Sequence, residues 1–242
     1  MDFSALPPLA AVLDTAHALL LALAAALAPL AGSAAAALAI VVVTLVVRAH
    51  LVPLGVLQVR AETARRRLAP QLAELQKRHR KNPETLQRKT LELYRDAGVS
   101  PFAGMLPALA QVPVVSVLYG VAVSPTLNGH PNELLGETLF GASLGQSFTA
   151  MLAAPSLSLL APIGLMTVMA VVAWLTRRQT LRMVAASPAA EGPLANATGI
   201  LSWLSFATVV IALFVPLAAT LYLAVSGAWT FVERTILRRR IA

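Results

Sequence analysis

The sequence predicts an all-α integral membrane protein with five transmembrane helices and a cytoplasmic helical hairpin, the N-terminus outside and the C-terminus inside. Three observations carry this. Of the 242 residues, 57% are hydrophobic and only 12% charged, and the mean hydropathy is +0.73; a soluble domain carries far more charge. Five apolar runs, at about 33–57, 102–123, 155–176, 197–214 and 215–233, are long enough to cross a hydrocarbon core about 30 Å thick. The 19 Lys and Arg are confined to Arg48 and to segments following the first, third and fifth runs. Five spans put all three segments in the cytoplasm, as the positive-inside rule requires.

Residues 1–32 are apolar but interrupted by Asp14, His17 and Pro29. They are expected to form an extracytoplasmic, interfacial amphipathic helix. A sixth span there would leave the basic segments inside and move only the N-terminus. No Lys or Arg precedes Arg48, and Asp2 stands where a signal peptide carries positive charge, so the segment does not read as a standard signal peptide.

The first span contains Arg48. No Asp, Glu, Lys or Arg lies between Asp14 and Arg48, nor between Arg48 and Arg60. If one helix carries both arginines, they lie about 18 Å apart along its axis. An arginine that deep in a bilayer costs roughly 2.5–3.5 kcal/mol. It therefore calls for a polar cavity, a partner or a task.

Residues 58–97 hold eleven basic and five acidic side chains. Leu68, Leu72 and Leu75 recur at helical spacing, as do Leu86, Thr90 and Leu93. Asn82-Pro83 between them reads as an N-cap followed by Pro at the first helical position. The segment is expected to be a cytoplasmic pair of antiparallel helices. Its cations, with those of the C-terminal tail, form a candidate contact for a membrane surface or for ribosomal RNA: Arg65, Arg66, Arg67, Lys77, Arg78, Arg80, Lys81, Arg238, Arg239 and Arg240. The 124–154 segment has no basic residue and several glycines, and reads as a flexible outer loop. Residues 183–196 read as a flexible cytoplasmic link.

Several motifs carry no chemistry here. Gly141-Ala142-Ser143-Leu144-Gly145 spells the GxSxG of a nucleophile elbow but lies in the outer loop, without the strand and helix an elbow needs. His17, His50, His79 and His130 are scattered, so no metal site or cofactor is expected. There is no P-loop and no cysteine. Asn196-Ala197-Thr198 matches a glycosylation sequon on the cytoplasmic side. The spans carry no acidic side chain away from their ends, which argues against a proton-coupled transporter or an intramembrane aspartyl protease. The polar side chains available to a cavity beside Arg48 are hydroxyls and amides, among them Thr44, Gln111, Tyr119, Thr176, Tyr222 and Ser226.

The run VVRAHLVPL (46–54), then LYRDAGVSPFAGMLPALAQVPVVSVLYG (93–120) and FVPLAATLYLAVSGAWTFVERTILRR (214–239), resembles the YidC/Oxa/Alb family of membrane protein insertases. The pattern residues are Arg48, Tyr94, Gly98, Val99, Pro101, Leu106, Pro107, Gln111 and Pro113. The resemblance implies a core at 33–240 enclosing a hydrophilic groove, open to cytoplasm and lipid and closed outside. Arg48 matches the groove arginine that attracts the polar tail of a nascent membrane protein. The implied protein is no enzyme: it is an insertase and chaperone of the bacterial inner membrane, multi-pass, working without nucleotide. Implied partners are nascent membrane proteins and anionic lipids, with the Sec translocon and the ribosome as candidates, and not DNA. The chain departs from the family at Leu223, where many members have Trp, and at Thr176, where many have Gln. A rival reading of the residues is a small transporter or channel with Arg48 lining an anion path; another is an assembly subunit in which Arg48 only snorkels.

Overall fold

The computed structural model describes residues 7–100, 105–127, 129–185 and 202–241, almost all of them helical or in tight turns. They divide into two compact units: 1–50, 112–175 and 205–231 form the first, and 51–111, 176–204 and 232–242 the second.

In the first unit, α1 (Pro7–Ala31) and α2 (Ala35–His50) are joined by a 3-10 turn at Gly32–Ala34. Gly32 takes φ +53, a left-handed conformation that spares it the penalty a side chain would bring. The chain turns back there, so Leu20 lines the same small void as Val43 and Thr44. Ala35, Ala36, Ala37 and Ala39 are buried on α2, and such small side chains let helices approach closely. The segment expected as an interfacial helix thus packs along α2: Leu13 and Leu20 are buried with Ile40, Val121 and Tyr222. Among the described residues two helical stretches are long and apolar enough to cross a membrane, 11–50, which this turn folds into two legs, and 157–183. The latter coincides with most of α7 (Leu160–Ala185).

The segment 124–154, expected as a flexible outer loop, is built from short paired strands and turns. β1 (Thr126–Leu127) pairs with β2 (His130–Pro131), and β3 (Thr138–Leu139) with β4 (Ala142–Ser143), both antiparallel. Phe140 and Gly141, at φ 50 and 80, form the two-residue turn between β3 and β4; two positive φ values are what a type I′ hairpin requires. GxSxG is therefore half of a hairpin, with no elbow. Leu134 and Leu144 are fully buried beneath it. Asn132 is buried and donates from Nδ2 to the carbonyls of Val121, at 2.7 Å, and Ser124, at 2.9 Å, closing the end of α5 (Met105–Val123). These buried bonds, unforeseen in a glycine-rich loop, give it order.

The cap also starts the last helix. The amides of Leu217 and Ala218 donate to the carbonyls of Gln146 and Leu144, at 2.9 Å each. These are first-turn donors of α9 (Leu217–Ile241), which no helix bonds internally. Before it, α6 (Phe148–Met151) and α8 (Ala207–Ala212) are short. The fourth expected span, 197–214, is described only from 202, as a 3-10 turn and α8. The sequon and the 186–196 part of the link lie outside the described residues, as do Pro101 and Ala242.

In the second unit, α3 (Val52–Arg78) begins after a turn at Leu51. The first expected span, 33–57, is therefore interrupted, because Pro53 has no amide proton for the carbonyl of Ala49. α4 (Pro83–Asp96) returns alongside α3. Asn82 caps it as expected: its Oδ1 accepts from the Thr85 amide at 3.1 Å. Glu62 ties α3 to α9, accepting from Arg238 at 3.1 Å and from Arg66 at 2.6 Å. Gly55 faces Glu233 so closely that a side chain there would collide with it. Arg177 lies 4.2 Å over the Trp203 ring.

Asn132→Ala removes the side-chain donor from the Val121 carbonyl, in a buried bond, and from the Ser124 carbonyl, in a part-buried one, and is expected to lower stability by about 1–3 kcal/mol, read from thermal unfolding in detergent; an unchanged midpoint contradicts the capping role. On α4, the hydrogen bond from Lys89 holds the Glu92 carboxyl below its ordinary value; burial opposes it, and the positive charges of Lys89, Arg88 and Arg95 add to the lowering. Its folded value is depressed, so the contribution is present at neutral pH and is lost as pH falls through that value. Lys89→Ala should return the Glu92 titration toward the ordinary range in a side-chain NMR titration.

Candidate functional site

The site grows from the last turn of α2. Arg48 is half-buried, and its sole partner among the described residues is Ser226 of α9. Nε donates to Ser226 Oγ at 2.9 Å, and Nη2 donates to the same oxygen. A hydroxyl oxygen has two lone pairs and takes both bonds; the other guanidinium N–H groups stay available. Ser226 is itself buried. A neutral acceptor solvates the cation without cancelling its charge, which a carboxylate would do.

Four expected site residues share the first unit with Arg48: Thr44, Tyr119, Tyr222 and Ser226. Thr44 and Tyr222 are sealed in the core beside a void of about 10 Å³, lined otherwise by apolar side chains. Thr44 Oγ1 turns back to the Ile40 carbonyl at 2.7 Å, so its hydroxyl serves its own helix. Tyr119 is half-buried against the same core. Only Ser226 is brought to Arg48. Gln111 and Thr176 belong to the second unit and are half-buried on α5 and α7. Leu223 packs with Met169, Ala212 and Ala224 in an apolar cluster.

The basic residues separate into distinct roles. Arg66 and Arg238 share Glu62, and Arg78 pairs with Glu74 at 3.6 Å on an exposed face. Arg67, Lys77, Arg80, Lys81, Arg239 and Arg240 are exposed. The pairing of Arg48 with Ser226 had one signal in the sequence: Ser226 stands four residues after Tyr222, on the same face of the last helix. Among the described residues no group of three His, Asp or Glu side chains is placed to hold a metal.

A mostly helical chain with two apolar helical stretches of membrane-crossing length among its described residues, and a half-buried arginine held by a hydroxyl, is consistent with a helical membrane protein. The 60Kd inner membrane protein family matches residues 27–242, and the chain belongs to that family, the YidC/Oxa/Alb group. Among its relatives, the membrane protein insertase YidC of Clostridium perfringens is 39% identical over 82 residues, covering 34% of this chain and 34% of the relative. That of Oceanobacillus iheyensis is 38% identical over 97 residues, 38% of each chain. The chloroplastic inner membrane protein ALBINO3 of Arabidopsis thaliana is 42% identical over 81 residues, 34% of this chain and 18% of the relative. The matched stretch thus spans little more than a third of the curated relatives, or less.

Ser226→Ala removes the acceptor of a half-buried guanidinium. It is expected to destabilise the first unit by about 1 kcal/mol, below the range for a fully buried charged hydrogen bond because Arg48 keeps contact with solvent. Ser226→Thr should keep most of that stability. Equal thermal midpoints for Ser226→Ala and the parent protein would remove Ser226 as the partner.

Proposed function

We propose that this protein inserts newly made membrane proteins into a bilayer and helps them fold, with Arg48 as the charge that receives the polar end of the incoming segment. The carrying observation is the solvation of Arg48 by Ser226, with no carboxylate partner among the described residues. Supporting it are the family membership and the relatives named membrane protein insertase.

In this reading five helices cross the membrane at 33–57, 102–123, 155–176, 197–214 and 215–233, and the 58–97 hairpin and the C-terminal tail lie in the cytoplasm. The packing of α1 along α2 supports a sixth embedded helix over an interfacial one; the N-terminus is then inside and the basic segments are unmoved. The outer cap, tied to the start of α9, supports closure on the outer side. A substrate's acidic or polar tail approaches from the cytoplasm, meets Arg48, and so crosses a shorter apolar path. Its apolar segment passes into lipid, and burial of that segment drives the step at roughly 0.8 kcal/mol per CH₂. Nothing in this scheme consumes nucleotide. Gln111, Tyr119 and Thr176 are proposed to add polarity along the route. The exposed cations of the hairpin and tail are proposed to meet anionic lipid, with the translocon and the ribosome as further candidates. The setting is a bacterial cell membrane.

Proteoliposomes containing the purified chain and a single-span substrate with an acidic tail provide the test. Arg48→Ala is expected to reduce insertion at least tenfold, and Arg48→Lys to keep a substantial part. Undiminished insertion by Arg48→Ala would falsify the arginine mechanism.

A further inference from the structure

The second unit contains a cavity of about 350 Å³ that the insertion scheme does not use. It lies between α3 and α9, lined by Gln58, Val59, Glu62, Arg65, Arg66 and Arg234. Three arginines face one carboxylate. That carboxylate is already engaged, since both of its oxygens accept from Arg238 and one also from Arg66. Arg66 is fixed from its other side as well, donating to the Met183 thioether at 2.7 Å. The cavity is therefore positively charged, and at least one of its guanidinium groups is held in place before any ligand arrives.

Its position limits what it receives. On α3, residues 52–59 hold no charge, and Arg60, Glu62, Arg65, Arg66 and Arg67 follow at once. On α9, residues 217–232 hold no charge, and Glu233 and Arg234 follow. Both walls change from apolar to charged at the level of the cavity, which is the transition found at a bilayer's headgroup layer. Val59 and Ala69 supply an apolar floor, and Gln58 a neutral donor. Guanidinium groups bind phosphate oxygens in pairs and remain charged at all relevant pH.

We propose that this cavity binds the phosphodiester of an anionic glycerophospholipid of the cytoplasmic leaflet, with Arg234, Arg65 and Arg66 on the phosphate and Gln58 toward the headgroup hydroxyls. The proposal rests on the membrane orientation above and gives one lipid site to what was a diffuse basic surface. The volume suits a headgroup, being at the lower end of small-ligand pockets. The apolar floor of Val59 and Ala69 favours a lipid over ribosomal RNA, which has no acyl chain to cover it.

The test uses the intact chain in a neutral detergent at 0.15 M salt, unfolded thermally with tryptophan fluorescence as readout. Dioctanoyl phosphatidylglycerol should raise the midpoint saturably, whereas dioctanoyl phosphatidylcholine and inorganic phosphate should not. Arg234→Gln should raise the apparent Kd for the phosphatidylglycerol about tenfold, with an unchanged midpoint in its absence. Arg182→Gln, the same charge change at an exposed position outside the cavity, should alter it less than twofold. Arg65→Gln repeats the measurement at a second wall position in case the first variant is unstable. Equal losses for Arg234→Gln and Arg182→Gln overturn the site in favour of diffuse attraction. Saturation by inorganic phosphate alone, equal binding of phosphatidylcholine, or a response to an RNA hairpin but not to lipid overturns it too. No substrate is present, so this result stands apart from the Arg48 insertion assay.

Discussion

The two hydrogen bonds from Arg48 to Ser226 set the requirement that organises the first unit. A guanidinium on an apolar helix must keep its donors engaged, and Ser226 is the acceptor that α9 offers. For the hydroxyl to arrive, α9 must be fixed along its axis. That is achieved at its other end, where Leu217 and Ala218 donate to the carbonyls of Gln146 and Leu144. Nine residues separate Leu217 from Ser226, a rise of about 13 Å. A one-residue slip of α9 would turn Ser226 by about 100° away from Arg48. The ordered cap and the solvation of the cation are thus two ends of one constraint. It explains why the glycine-rich segment 124–154 is bonded so thoroughly to backbone distant in sequence.

The rest of the first unit is close-packed. Alanines on α2 and at the start of α9 are buried, and the void beside Thr44 and Tyr222 is near the size of a single water. Polarity is therefore concentrated at Arg48 and does not extend along a line of hydroxyls. Thr44 illustrates the choice available to any threonine on a helix: its hydroxyl is satisfied by the carbonyl one turn back. Burial then costs little and leaves nothing for a substrate. Ser226 differs because a stronger donor reaches it.

Much of this was legible in the chain. The long uncharged stretches around Arg48 isolate it, and Asn82-Pro83 spells out the start of α4 because an N-cap is local chemistry. The confinement of basic residues to three segments is equally local. The order of the 124–154 cap was not legible. Its glycines suggest freedom, whereas its rigidity comes from Asn132 and from carbonyls distant in sequence. The turn at Phe140 was hidden for a related reason: a bulky side chain at positive φ is costly, and surrounding structure imposes it. The interruption at Leu51 was readable from Pro53, but an uninterrupted apolar run obscured it. The pairing of Arg48 with Ser226 spans 178 residues, and its one trace is that Ser226 shares a helix face with Tyr222.

Arginine is used in three ways here, and partner chemistry decides which. Arg238 is neutralised by Glu62 and joins two helices. Arg177 lies on the face of Trp203, where the ring attracts the cation without accepting a conventional hydrogen bond. Arg48 has a hydroxyl, which accepts its protons but leaves its field intact. The difference follows from where acidic residues occur in the sequence. Glu62 lies just past the apolar run that contains Arg48, and none lies between Asp14 and Glu62. Excluding carboxylates from that stretch permits the cation there to be solvated and prevents it from being cancelled. A carboxylate at position 226 would hold α2 to α9 more tightly and would remove the charge on which the proposed function depends.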